Sequence, residues 1–154
     1  MSKKELNLKL INEKCEYYFL KNAPFHIPEN IKEIIVKYGP YALIELFIIS
    51  IPLTLYASFL SFIDFASGNI LKFISNIIMF IGIIFYIMSF PGLLNRKLKG
   101  WDYLFYSILI YAVYVIFSTI VNLNFFFIFS ILRGAIYTII GLYILYQIKN
   151  LYNE

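Results

Sequence analysis

Cysteine, histidine and charge are all scarce in this chain, and each shortage removes a class of function. A single cysteine, Cys15, permits no intrachain disulfide. A single histidine, His26 in "PFHIP" (24–28), lies outside every long apolar run, so a membrane haem would find no pair of axial ligands. His26 is expected to be a structural loop residue rather than a base. No lysine stands in the middle of an apolar run, which excludes a retinal-type Schiff base. Glycine-rich phosphate loops, dinucleotide fingerprints and nucleophile elbows are missing. No group of Cys, His and carboxylates has metal-site spacing. The expectation is a protein without metal or cofactor, and not an enzyme.

The shortage of charge is the most informative. Charged residues make up 14% of the 154, against roughly a quarter in soluble domains, while 61% are hydrophobic and the mean hydropathy is +0.77. The charges are also clustered: 23 consecutive residues (73–95) and 30 more (103–132) carry none. About 18 such residues suffice for a membrane-crossing helix. The fold class that follows is all-α and polytopic, with membrane lipids as its principal partner. The formal charge of +4 reflects basic residues beside membrane edges, where headgroups explain them without nucleic acid. The first 37 residues hold lysines but no continuous apolar stretch, so no removable signal peptide is expected.

Four spans fit: about 41–62, 73–90, 103–121 and 125–146. Gly39 and Pro40 are expected to break the helix before the first, and Pro91–Gly92 to end the second. The 30-residue run is too long for one crossing, at about 1.5 Å per residue against a core of about 30 Å. Asn122–Leu123–Asn124 is expected to divide it into a tight hairpin. With the amino terminus inside, 11 Lys and Arg lie on the cytoplasmic side and only Lys72 outside. Both termini are therefore expected in the cytoplasm, with the chain in an inner (cytoplasmic) membrane. A bias this strong argues against insertion in both directions.

Residues 1–38 read as a cytoplasmic or surface-lying helical module. "SKKE" (2–5) has capping-box spacing, and Leu8, Ile11, Cys15 and Tyr18 follow at helical intervals. A second short helix, "ENIKEIIVKY", sets Ile31, Ile34, Ile35 and Tyr38 on one face and Glu29, Lys32, Glu33 and Lys37 on others. Such a helix suits the headgroup boundary or the protein's own loops. Tyr38, Tyr41, Trp101, Tyr103, Tyr143 and Tyr146 fall near the proposed inner interface, where half-polar rings serve as anchors.

Four polar residues fall inside or at the ends of the spans: Arg133, Glu45, Asp64 and Asn76. A central arginine costs about 2.5–3.5 kcal/mol on insertion. The thirteen Leu, Ile and Phe residues of the fourth span offset this by roughly 4–8 kcal/mol, so the helix inserts. Arg133 lies about 12 Å below Phe125 at helical rise, and Asn76 or Asp64 are its expected partners. Glu45 is expected to meet a tyrosine hydroxyl or the basic loop Arg96–Lys99. Each of the two is read either as lining an anion-accessible cavity or as structural. Small residues at four-residue spacing, Ser50–Thr54–Ser58 and Ser130–Gly134–Thr138, are expected to let helices pack closely, within the chain or between subunits. Pro52 leaves the Ile48 carbonyl without its usual donor, and is read as a tolerated kink.

"PFHIPENIKEIIVKYGPYALI" (24–44), "SFPGLLNRKLKGWDYLFYS" (89–107) and "IIGLYILYQIKNLY" (139–152) resemble segments of an uncharacterised family of short four-span membrane proteins from candidate-phyla bacteria. Pro91, Gly92, Leu93, Gly100, Trp101, Gly141, Leu142, Tyr143, Gln147 and Ile148 carry the likeness, with Lys149 where arginine is expected. The resemblance implies one continuous four-span domain and supplies no catalytic residue. Three functions compete. The first is a non-enzymatic homo-oligomer or scaffold for other membrane proteins. The second is a small channel or transporter using Arg133 and the other polar residues. The third, an enzyme, lacks recognisable chemistry.

Overall fold

Without water to satisfy backbone groups, an apolar run in lipid can be little other than helix. The computed structural model describes residues 3–121 and 127–153, the side chains of 3–9, 57, 58 and 127 excepted. The expected break at Asn122–Asn124, the capping box led by Ser2, and the contacts of Leu8 and Ser58 lie outside the described residues. The elements are helices α1 (Lys3–Glu16), α2 (Glu29–Ala66), α3 (Ile70–Leu94), α4 (Leu98–Val121) and α5 (Phe127–Gln147). A π-helical turn (Tyr17–Lys21) follows α1, and a 3-10 turn (Lys149–Leu151) follows α5. Four of these helices are long and apolar enough to cross a membrane. The protein is thus a small all-helical, polytopic membrane protein with an additional amino-terminal helix.

Two expected breaks are absent. Gly39 and Pro40 do not end a helix: α2 runs through them, and through Pro52, for 38 residues. At helical rise that is about 57 Å, nearly twice the hydrocarbon thickness of about 30 Å. The amphipathic turns of 29–38 are therefore the first turns of the crossing helix itself, and the division at 38/39 falls inside it. Proline removes one backbone donor, but packed membrane helices tolerate the loss. Pro91 likewise lies within α3, which ends only at Leu94 and is capped by Asn95, whose side-chain amide donates to the Pro91 carbonyl at 2.7 Å. α4 then begins at Leu98 rather than at Tyr103.

The connection between α3 and α4 is only three residues long, and Arg96 in it takes a left-handed φ of 53°. The Arg96 carbonyl accepts from the Asn153 amide at 2.9 Å, and the Asn153 carbonyl accepts from the Leu98 amide at 2.6 Å. The segment after α5 thereby caps the start of α4, satisfying one of the free donors of a helix amino end. α3 and α4 are the most intimate pair, with α2 packed along α3 and α5 along α4. The seam of α3 uses Ser75, Gly82 and Ser89, all buried at seven-residue spacing, and a Cβ on Gly82 would meet Ile110 at 3.2 Å.

The buried core sits at the end of the bundle where the termini gather. Val36 of α2, Leu93 of α3, Trp101 and Phe105 of α4, and Leu142, Leu145, Tyr146, Ile148 and Tyr152 make it up. Along the rest of the helices, large apolar side chains such as Ile49, Leu53, Phe62, Ile120 and Phe129 face outward, as lipid as solvent requires.

Candidate functional site

Two constructions stand out: a polar cap at the terminus-bearing end, and an apolar crevice between the flanking helices α2 and α5. The cap is built by the last turns of α5. Gln147 is fully buried, an expensive place for an amide unless both ends are satisfied. Its Nε2 donates to the Phe19 carbonyl at 2.9 Å, and its Oε1 accepts from the Ile27 amide at 3.3 Å. Tyr143 donates to the Phe25 carbonyl at 2.6 Å, and His26 Nε2 lies 3.0 Å from the Leu20 carbonyl. Gln147 and Tyr143 so hold the strap between α1 and α2 against the bundle.

Tyr146, next to Gln147, donates to Asn12 Oδ1 and meets Cys15. Burial raises the Cys15 pKa, and the hydrogen bond with Tyr146 opposes that rise. Lys149 pairs with Glu16 at 2.7 Å and stands 5.1 Å from the Trp101 ring centre and 5.6 Å from that of Tyr146. Trp101 donates its indole N–H to the Leu145 carbonyl at 2.7 Å. Trp101 and Tyr146 have no exposed surface, so the expectation that they anchor the protein among headgroups is corrected: they are the packed centre of the cap. A ring with one polar atom suits either place, and here the hydrogen bonds go to protein. Tyr38 and Tyr41 do face outward, with Lys37 5.2 Å from the Tyr38 ring centre, while Tyr103 is half-buried near Phe85.

The crevice has a volume of about 510 Å³, within the size range of small-molecule sites. Gly39, Ala42 and Leu43 wall it on the α2 side, and Tyr137, Gly141 and Ile144 on the α5 side. Tyr86 and Tyr111 form part of its floor. Tyr152 closes it at the cap; burial pushes the Tyr152 hydroxyl up to about 12, against the pull of nearby Arg96. Arg96 in turn pairs with Glu33 of α2 at 2.9 Å.

The polar residues read from the sequence distribute around this crevice differently from expectation. Arg133 bonds neither Asn76 nor Asp64 among the described residues. α5 packs along α4, away from α2 and α3, which carry those two. Arg133 instead stands on an exposed face of α5, where its charge acts on Tyr111 of α4. Glu45 is exposed on α2 and, among the described residues, meets neither a tyrosine hydroxyl nor Arg96, which Glu33 takes. Asp64 and Asn76 are half-buried near the far end. Of the small-residue ridges, Gly134 lets α5 touch α4: a Cβ there would fall 2.4 Å from Val115. Ser50, Thr54 and Thr138 donate to carbonyls of their own helices (Phe47, Ser50 and Gly134), and Ser130 is half-buried.

Sequence reasoning missed Gln147 and the serine–glycine seam of α3. A fully polar side chain at the end of a crossing helix, beside Tyr146, was the available signal for the first. A seven-residue rather than four-residue period was the signal for the second. Among the described residues no group of three His, Cys, Asp or Glu side chains could hold a metal ion. No protein-family model, no curated protein and no solved structure matches the chain, so the likeness to short four-span proteins stands on its motifs alone.

Proposed function

We propose that this protein is a non-enzymatic, homo-oligomeric or scaffolding component of a bacterial inner membrane, its capped end in the cytoplasm. The orientation rests on the 11-to-1 bias of Lys and Arg. One observation carries the assembly: Glu45 and Arg133 are exposed on crossing helices, and neither has an ion pair or side-chain hydrogen bond among the described residues. Ionisable residues within membranes almost always face protein or water, because lipid offers no partner. A second transmembrane surface supplies what the single chain lacks.

Dilution in lipid tests this reading. Single-molecule photobleaching of the labelled protein in bilayers should show two or more copies per spot, with the fraction falling as the lipid-to-protein ratio rises. One copy per spot at every ratio, with no co-purifying membrane protein, overturns it. The transport reading is supported by Tyr111 and Tyr137, which line the crevice, and by Arg133, one turn before Tyr137 on α5. Anion flux into liposomes that disappears in Arg133→Leu would favour it over a scaffold, and absence of flux would remove it.

A further inference from the structure

The crevice between α2 and α5 reaches through only half of the bundle. Its lining runs from Ile35 to Leu43 along α2 and from Leu145 to Tyr137 along α5, about 12 Å in each case at helical rise. Tyr152 closes it at the cap. Tyr137 is the midpoint of α5 (Phe127–Gln147), so the other end lies halfway through the bundle. One leaflet of hydrocarbon is about 15 Å thick, half of about 30 Å. A crossing helix, from another protein or a second copy, would traverse both leaflets and find a groove in only one. A lipid belongs to one leaflet.

The walls suit hydrocarbon. α2 packs along α3 and α5 along α4, so the gap between the two outer helices opens sideways, toward the bilayer. No charged residue lines it. Two of its hydroxyls are turned into backbone: Tyr86 donates to the Leu43 carbonyl and Thr138 to the Gly134 carbonyl, each at 2.9 Å. Apolar cavities stay dry and take apolar ligands. Gly39 is an independent sign of an occupant. Glycine is a poor helix former, and Gly92, Gly100 and Gly134 are kept small by a neighbouring helix, which a Cβ would approach to 2.3–2.4 Å. A Cβ on Gly39 would meet only Ile35 of its own helix, at 3.7 Å. The room that Gly39 leaves is crevice, beside Ala42 on the same wall.

We infer that the crevice holds one acyl chain of a phospholipid from the leaflet at the capped end, its methyl end reaching Tyr111 and Tyr137. The chain enters between α2 and α5, lies over Gly39 and Ala42, and fills volume that the helices leave open. Packing rather than the hydrophobic effect selects it, since the bilayer is as apolar as the crevice. The site depends on the membrane-crossing fold and not on the oligomeric reading.

A phospholipid with a photoreactive diazirine at the tip of one acyl chain tests this in vesicles of phosphatidylethanolamine and phosphatidylglycerol. After irradiation, mass spectrometry should find adducts concentrated on Tyr111 and Tyr137, above those on outward-facing Ile49. Gly39→Leu and Ala42→Phe each fill the crevice. Each should lower the Tyr111 and Tyr137 adducts roughly ten-fold and leave those on Ile49 unchanged. Even labelling of all three residues, or crevice adducts indifferent to both substitutions, overturns the site.

A second measurement does not need the filled variants to fold. Native mass spectrometry of the parent, released from mild detergent, should show one phospholipid retained per chain, and a parent that retains none overturns the site. Gly39→Cys in a Cys15→Ser background separates lipid from protein. Oxidation in vesicles should leave this variant unlinked. A disulfide between two Gly39→Cys chains would put a second copy in the crevice and overturn the lipid.

Discussion

Gly92 and Gly100 meet backbone to backbone. A Cβ on Gly92 would lie 2.4 Å from the Gly100 Cα, and one on Gly100 would lie 2.3 Å from the Leu93 amide nitrogen. No side chain is available there to move aside. The crossing brings α3 and α4 together just before the three-residue turn, and so places Trp101 in the cap.

Alanine at either glycine should therefore be among the most damaging small substitutions in the chain. Gly92→Ala and Gly100→Ala are each expected to cost about 1–3 kcal/mol or more, as forced overpacking does, read as lost resistance to unfolding in mixed micelles. Gly141→Ala is the control: its Cβ would make ordinary contact with Ile108 at 3.4 Å. Helix propensity then favours alanine by about 1 kcal/mol, so neutrality or a gain is expected there.

Replacing Gln147 with leucine leaves the Phe19 carbonyl and the Ile27 amide without their partner. Each buried group so orphaned costs about 1–3 kcal/mol. The strap 17–28 should release first, because its seat on α5 depends on these bonds and on that of Tyr143 to Phe25. Limited proteolysis should cut the strap many times faster in Gln147→Leu than in the parent, while the four crossing helices stay protected. Equal cutting of both would show that the strap is held by other contacts.

Tyr152 gives the cap a pH limit. Its folded pKa of about 12 lies above the ordinary value of 10, so between these values the folded state keeps a proton that the unfolded state has lost. Stability then falls as pH rises from about 10 through about 12. Below 10 the hydroxyl is neutral in both states and contributes no slope. Thermal unfolding followed from pH 9 to 12 should show a steeper decline in the parent than in Tyr152→Phe.

Cys15 should be a slow thiol. Burial holds its pKa above the ordinary value, and the thiolate is the reactive form. Alkylation by a water-soluble maleimide at neutral pH should lag well behind that of a cysteine placed at exposed Phe25. It should accelerate in Gln147→Leu if the strap loosens α1 with it.

The existence and rough limits of the four spans were legible because charge cannot be hidden in lipid, and the runs 73–95 and 103–132 have none. Pro40 and Pro91 were misread as breaks, since the rule that proline ends helices is learned from water, whereas Pro52 was read as tolerated within its span. Pro40, Pro52 and Pro91 all remain inside helices here, where the alternative conformations would strand more backbone groups than the one each proline loses. Trp101 and Tyr146 were legible as residues of one end of the bundle, but not as core. Their rings satisfy the same half-polar requirement against headgroups or against Leu145 and Asn12, and only the three-dimensional neighbourhood distinguishes these. Arg133 and Glu45 were legible as anomalies of depth. That neither finds a partner within the chain depends on α2 packing along α3 and α5 along α4, which periodicity alone does not reveal.

The Gln147 bond to Ile27 spans 120 positions, and this has a consequence for biosynthesis. Synthesis at about 5–20 residues per second leaves roughly 6–24 s between the appearance of Ile27 and that of its partner. Through that interval the strap has no final seat, because Gln147 and Tyr143, to which it bonds, are not yet made. A segment made before all four crossing helices is thus among the last parts of the fold to settle.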